Sequence, residues 1–457
     1  MSFPRYPVYK DSGVEWLGEV PGEWKVVPLK AVSTHNDDVL EESTAPDTEI
    51  AYVDISSVDG VNGIKTTETM LFAAAPSRAR RRVKHGDVIV STVRTYLKAI
   101  ARIREPEENL IVSTGFAVIR PRGDLVPDFL GHLVSAGFFV EQVIARSTGV
   151  SYPAINASEL VAIPVPVPPL PEQTQIAAFL DRETAKIDAL VAEQRSLTDL
   201  LKEKRQAVIS HAVTRGLNPD VTMKASGNLW LGDVPAHWEV KRLKHVKGSD
   251  KNAFVDGPFG SNLKSEHFID DGDVYVIESS FATQGRLEAD NLKTISVEHF
   301  NTISRSETRG GDIIIAKIGA QYGKASILPN LDKPAVVSGN SLKLTINERS
   351  CDVRFVNWQL ANLKKLGVME DIVNATAQPA LSLGEMNNLP MLVPPRPEQE
   401  AIVRFLDDRL GQLDTLTAEA KHAIDLLQER RTALISAAVT GQIDVRELAA
   451  PNLLETT

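Results

Sequence analysis

The 457-residue sequence predicts a mixed α and β chain built as two copies of one unit. Three observations predict it. A long helical pattern, Pro168–Thr214, returns as Pro394–Thr440 at a constant offset (394 − 168 = 226). The segment WLGEVPGEWKVVPLK (Trp16–Lys30) returns as WLGDVPAHWEVKRLK (Trp230–Lys244), displaced by 230 − 16 = 214. Between each lead-in and its helix lies a globular stretch with short runs of β-branched residues, so each half repeats lead-in, globular region, proline junction and helix.

Taken in order, the lead-in carries two tryptophans, whose large rings tack an irregular segment onto a neighbour. Strands are expected at Ile50–Ser56, Asp87–Val93 and Ile111–Ile119, each bounded by Gly, Asp or Pro. Leu130–Ile144 reads as a helix. ARSTGVSYPAINASEL then supplies turn chemistry, and VAIPVPVPPLPEQ forms a proline-stiffened entry to the first long helix. RGLNPDVTMKASGN (Arg215–Asn228) is a linker, after which the cycle restarts. The second region, Glu239–Leu389, is expected to hold strands at Val274–Glu278, Asp312–Ile318 and Ser341–Ile346 and a helix over Arg354–Leu366. The halves match in lead-in and helix, while the globular regions share little beyond short turns.

No Pro or Gly interrupts Gln173–Thr214. Apolar residues recur at heptad-like spacing: Leu180, Ile187, Leu190, Leu197, Leu201 and Val208 in the first copy, Leu406, Leu413, Leu416, Leu427 and Leu434 in the second. Such a stripe flanked by mixed charge lets two helices lie side by side. At 1.5 Å per residue each rod is roughly 60 Å long, which suits a rigid spacer.

Composition bounds the rest. An apolar content of 43% with 24% charged residues is globular, and no apolar run approaches a membrane span. MSFPRYPVYKDSG lacks the basic-then-apolar pattern of a secretory signal. A single cysteine, Cys351, read as a small residue at a loop edge, excludes an internal disulfide and fits a reducing cytoplasm. The net charge of −10 is unevenly placed. Glu172–Thr214 holds 7 acids against 6 bases and Glu398–Thr440 holds 8 against 5, whereas Arg78–Arg104 carries nine Lys/Arg against Asp87 alone. A local basic field of this kind suits a polyanion despite the acidic total.

Catalytic signatures are missing. GAQYGK (Gly319–Lys324) has too few residues between its glycines for a phosphate loop, and no G-x-G-x-x-G occurs. The histidines lack metal-ligand spacing, so no metal site is expected. What remains are groups able to contact phosphates and base edges. Those in the first half are Arg78, Arg80, Arg81, Arg82, Lys84, Arg94, Tyr96 and Lys98. Those in the second are Ser261, Asn262 and Lys264 in DGPFGSNLKSEHF, and Lys317, Gln321, Tyr322 and Lys324 after the second Gly-Asp strand. Thr148–Tyr152 and Thr376–Gln378 are weaker candidates. The competing reading for each residue is a solvated charged hairpin.

Together YPVYKDSGVEWLGEVPGEW, DGPFGSNLK, the two Gly-Asp strands and both P-P-x-P-E-Q junctions with their helices resemble the specificity subunit of type I restriction-modification systems, across nearly the whole chain. The resemblance implies an α+β fold. Two target-recognition domains with irregular β-sheets and small helices would be separated by two long antiparallel coiled-coil helices in a pseudo-twofold repeat. The expected divisions are 1–160 (lead-in and first recognition domain), 161–217 (central helix), 218–388 (linker and second recognition domain), 389–445 (C-terminal helix) and 446–457 (tail). It further implies a non-catalytic subunit that reads split double-stranded DNA and recruits two modification (methyltransferase) subunits, with restriction subunits joining through them. S-adenosylmethionine, ATP and Mg would sit on those partners and none on this chain. A coiled-coil protein–protein adaptor that reads no DNA is the alternative.

Overall fold

The computed structural model describes residues 3–60, 63–287, 292–373 and 379–448. The chain divides into two compact units, Met1–Ser196 with Ala420–Thr457, and Leu197–Glu419. Both long helices form without a break, over Leu170–Arg215 and Arg396–Val439. Each gives one part to each unit, a division that a linear reading of the chain does not anticipate. Among the described residues no helix is long and apolar enough to cross a membrane.

Within the first unit, the strands run Ile100–Arg102, Val88–Ser91, Phe116–Pro121, Ser33–His35 across one antiparallel sheet. A second sheet runs Glu68–Leu71, Glu49–Val53, Leu110–Ser113, Ala79–Arg82, with a parallel central pair. The second unit repeats both orders. Ala325–Ile327, Ile313–Ala316, Ser341–Leu344 and Phe254–Asp256 form one sheet. Lys293–Ile295, Val274–Ile277, Ala335–Val337 and Glu307–Thr308 form the other, again with a parallel central pair. Two unlike sequences therefore keep one topology, because the apolar pattern and the turns are retained while individual residues drift.

Two expected elements are each split. Ile111–Ile119 becomes Leu110–Ser113 and Phe116–Pro121, which belong to different sheets. Leu130–Ile144 becomes helices Pro127–Ser135 and Gly137–Arg146 around an extended Ala136. At that break the Gly137 N–H donates to Ser436 Oγ (3.1 Å), so a contact with the second long helix overrides helix propensity.

The junction motif is explained by burial. Gln173 and Gln399 are wholly buried. Gln173 Oε1 accepts from Val126 N–H (2.8 Å), and its Nε2 donates to the carbonyls of Asp124 (3.0 Å) and Pro168 (2.8 Å). Gln399 repeats this with Asp352 N–H (2.8 Å) and the carbonyls of Ser350 (3.0 Å) and Pro394 (2.8 Å). The preceding glutamate takes a different donor in each half: Tyr6, upstream of the lead-in, donates to Glu172 Oε1 (2.5 Å), and Trp238 Nε1 within the lead-in donates to Glu398 Oε1 (3.1 Å). Trp24 and Trp238 are fully buried, as anchors should be, while Trp16 and Trp230 stay over a third exposed. Lead-in strand Lys25–Pro28 pairs with Pro164–Val167, and Glu239–Arg242 pairs with Pro390–Val393. Cys351 lies at the end of the loop that enters helix Val353–Lys365 and is buried in the second unit's core, where burial pushes its thiol up.

The helices touch inside each unit, and they run antiparallel. In the first, Ile187 and Val191 share a core with Leu434 and Ile435. In the second, Leu201 and Ile209 share one with Leu406 and Leu413. Arg431 Nε lies 2.9 Å from Asp188, and Arg205 lies 3.8 Å from Asp414. These pairs obey the repeat offset (414 − 188 = 226; 431 − 205 = 226), so the antiparallel register is written into the duplication. Among the expected seam residues, Leu180, Ile187, Leu201, Leu406, Leu413 and Leu434 are buried and Val208 and Leu427 half-buried. Leu190, Leu197 and Leu416 are exposed. Thr184, Val191 and Thr198, with half-buried Gln194 between the last two, complete the alternating three-and-four spacing from Leu180 through Ile187 to Leu201, and the three are buried instead.

Two measurements check this packing. Ile187→Ala should cost about 2–5 kcal/mol while Leu190→Ala stays within about 0.5 kcal/mol, read by chemical denaturation. Gln173→Ala leaves a buried N–H and two carbonyls unpaired. It should cost at least about 2 kcal/mol, or about 4–8 °C in melting temperature.

Candidate nucleic-acid interface

The basic run of the first unit does not fold into one patch. Arg81 turns inward and donates to Asn36 Oδ1 and the Phe116 carbonyl, and burial pushes its guanidinium down. Arg80 stacks 4.8 Å over Phe72. Arg78 faces Asp54 at 3.9 Å and Lys84 meets Asp38 at 2.9 Å, while Arg82 is exposed. Asp87, the single acid of the run, is buried and held by Arg120 Nε (2.8 Å) and Nη2 (2.7 Å).

Arg102 and Arg104 serve the junction with the long helix. Arg102 Nη1 and Arg104 Nη2 each lie 2.8 Å from the Asp181 carboxylate, and Arg104 also reaches Asp128 at 2.7 Å. His132 Nε2 is 2.7 Å from Asp181 Oδ1. Burial pushes His132 down to about 4, against the pull of Asp181, so at neutral pH the ring is uncharged and donates its Nε2–H. Burial alone would raise Asp181; the hydrogen bonds from His132 and Arg102 outweigh it and hold the carboxyl far below its ordinary range.

An exposed, cation-bearing surface with aromatic rings lies at the hairpin tip Thr92–Lys98. Arg94 and Lys98 have φ of 50° and 52°, flanking the turn Thr95–Leu97. Left-handed non-glycine backbone costs about 1–3 kcal/mol per residue and persists only where neighbours enforce it. Here Arg94 N–H donates to the Pro153 carbonyl (2.8 Å), Ile155 N–H to Thr92 (2.9 Å), and the Thr95 and Ser147 hydroxyls meet at 2.8 Å. This seats the tip against loop Ser147–Pro153. Arg94 lies 4.9 Å over the ring of Tyr152, which is 65% exposed, beside exposed Tyr96, Lys98 and Val150. Tyr152 belongs to the weaker sequence candidate Thr148–Tyr152, and its turn-rich setting is the one signal that marks it.

The second unit has the same placement with different residues. Hairpin Ala316–Lys324 leans on the segment entering the junction through the Ile318–Ala380 bridge, as Val93 does through Ala154. Lys317 Nζ donates to Asp256 (3.2 Å) and lies 5.8 Å over Phe259. Gln321 and Lys324 are exposed, while Tyr322 is half-buried, with Lys364 Nζ 3.7 Å from its ring centre, and packs on the core. Ser261, Asn262 and Lys264 are exposed on the Gly-rich loop, Lys264 facing Glu266 at 3.5 Å. Thr376–Gln378 lie outside the described residues. Cations beside exposed aromatic faces can neutralise phosphates and stack on bases.

Comparisons with known proteins agree with this double scaffold. The family model described as type I restriction modification DNA specificity domain matches residues 21–197 and again 235–425. The chain belongs to that family, with one DNA specificity domain in each repeat. It is 19% identical to the type I restriction enzyme EcoKI specificity subunit of Escherichia coli (strain K12), covering 93% of this chain and 90% of that protein. It is 22% identical to the putative type I restriction enzyme MjaX specificity subunit of Methanocaldococcus jannaschii, covering 94% and 96%. A chain from a structure of type I R-M system assembly superposes with a TM-score of 0.73 at 23% identity, over 92% of this chain and 98% of that one. The HsdS subunit from Thermoanaerobacter tengcongensis gives 0.53 at 23%, over 93% and 98%.

The Asp181 cluster has a defined acid response. The folded pKa of His132 lies below its ordinary 6.5, so its contribution is whole above pH 6.5 and is lost as pH falls towards 4. The loss should approach about 3 kcal/mol, seen as a melting temperature that drops across that window. His132→Gln should flatten it.

Proposed function

We propose that this chain is the DNA sequence-recognition subunit of a type I restriction-modification complex in the cytoplasm. Each unit reads one half of a bipartite, asymmetric target, and the helix pair sets the unread length between the halves. The chain recruits two modification subunits, which bring S-adenosylmethionine and methylate adenine. ATP- and Mg-dependent restriction subunits join through them. The observation that carries the reading is one scaffold present twice, each copy matching a DNA specificity domain and offering unlike side chains from the same hairpin tip. A coiled-coil adaptor that reads no DNA would leave those tips without a task.

The test is co-expression with the modification partner and mapping of methylated adenines. Exchanging residues 25–160 for the matching region of a relative should alter one half of the methylated motif and leave the other intact. Adding seven residues to each long helix keeps the heptad phase and lengthens the pair by about 10 Å, so the spacer should grow by about three base pairs. Half-sites that change while the spacer stays constant would refute the ruler.

A further inference from the structure

The second unit carries a loop that is fastened at both of its ends. Asp256 ends its strand with a nearly buried carboxylate, accepting from Arg305 Nη2 (3.0 Å) and Lys317 Nζ (3.2 Å), while its carbonyl accepts from Ser306 Oγ (3.0 Å). Beyond it the backbone crosses the turn Ser338–Gly339. A Cβ on Gly257 would lie 1.9 Å from the Ser338 carbonyl oxygen, and one on Gly339 would lie 2.6 Å from the Pro258 carbonyl oxygen. Only glycine fits at each crossing point.

The chain then leaves the body of the unit. Phe259 is 68% exposed, and Ser261 and Asn262 are exposed after it. A second fastening follows at once. His299 Nε2–H donates to the Asn262 carbonyl (2.8 Å), and His267 Nδ1 accepts from Lys264 N–H (3.0 Å). The two imidazoles stack with centroids 3.9 Å apart and planes 19° from parallel. His299 is set by its own helix, Val297–Ile303, whose capping Ser296 accepts from the His299 N–H (3.2 Å).

We infer that Phe259–Asn262 is the base-reading segment of the second unit, and that His299, stacked on His267, is the positioning residue that fixes its shape, opposite the Asp256 hub. This rests on the DNA-recognition reading above. A large exposed aromatic ring flanked by small residues offers a face for stacking at an opened base step, and Ser261 and Asn262 offer hydrogen bonds to base edges. A loop already held in its bound shape loses less conformational freedom on contact, so the fastenings convert directly into discrimination.

The experiment uses the full chain co-produced with its modification partner. Its probes are duplexes carrying the motif mapped by methylation, with single base changes in one half or the other. His299→Ala should reduce discrimination within one half-site by about tenfold, with the other half-site and the melting temperature unchanged. His299→Gln, whose amide can donate to the Asn262 carbonyl, should restore it. Phe259→Ala and Asn262→Ala should each lose discrimination at the same half-site. If those two lose it while His299→Ala keeps it, the positioning role is overturned. If all three leave both half-sites intact, the loop does not read DNA. A His299→Ala chain that weakens every duplex equally, with a lower melting temperature, assigns the histidine to stability alone and overturns the inference too.

Discussion

Each unit depends on a Glu-Gln pair at the start of a long helix, with the glutamine wholly buried in both. Gln173 and Gln399 satisfy three backbone groups apiece where no water reaches, and Glu172 and Glu398 accept from Tyr6 and Trp238. Removing such a side chain orphans its partners at about 1–3 kcal/mol each, so the motif is held in place by its surroundings as much as it holds them. Helix entry, lead-in strand and the loop before helix Pro127–Ser135 in one unit, or Val353–Lys365 in the other, meet at this point. The same glutamate and glutamine in both halves give the same helix entry.

On that frame the variable parts are free to differ. The sheets keep their strand order although the sequences drift, since a strand needs only an apolar inner face and suitable turns. The tips carry what is not shared: a strained Arg94–Lys98 turn leaning on Tyr152 in one unit, a fastened glycine-rich loop beside Lys317 in the other. Burial fixes the interior and leaves the tips open to variation, as expected of surface loops on a rigid scaffold.

Much of the frame was legible in the sequence, because a repeat offset and an uninterrupted helical pattern are local signals. The seam was legible in phase but not in every member. Leu190, Leu197 and Leu416 look more apolar than Thr184 and Thr198, yet spacing rather than hydrophobicity decides which face is covered. The break at Ala136 is imposed by a contact 299 positions away, beyond any local reading. The basic run misled for a similar reason: adjacency along a strand does not put side chains on one surface. Arg81 went to the interior, and Arg102 and Arg104 went to a carboxylate nearly eighty positions on. The His267–His299 stack joins residues with no shared motif and could be found only in three dimensions.

The division of the long helices between the units has a consequence for biosynthesis. Leu197–Glu419 is one continuous stretch, so that body can be completed while the ribosome still works. The amino-terminal body cannot, because its core is closed by Leu434, Ile435, Ala438 and Val439, which emerge among the last turns of helix. The part made first is thus finished last. Until then its apolar interior stays open to chaperones and proteases, and a nonsense codon late in the gene would injure the front of the protein more than its middle.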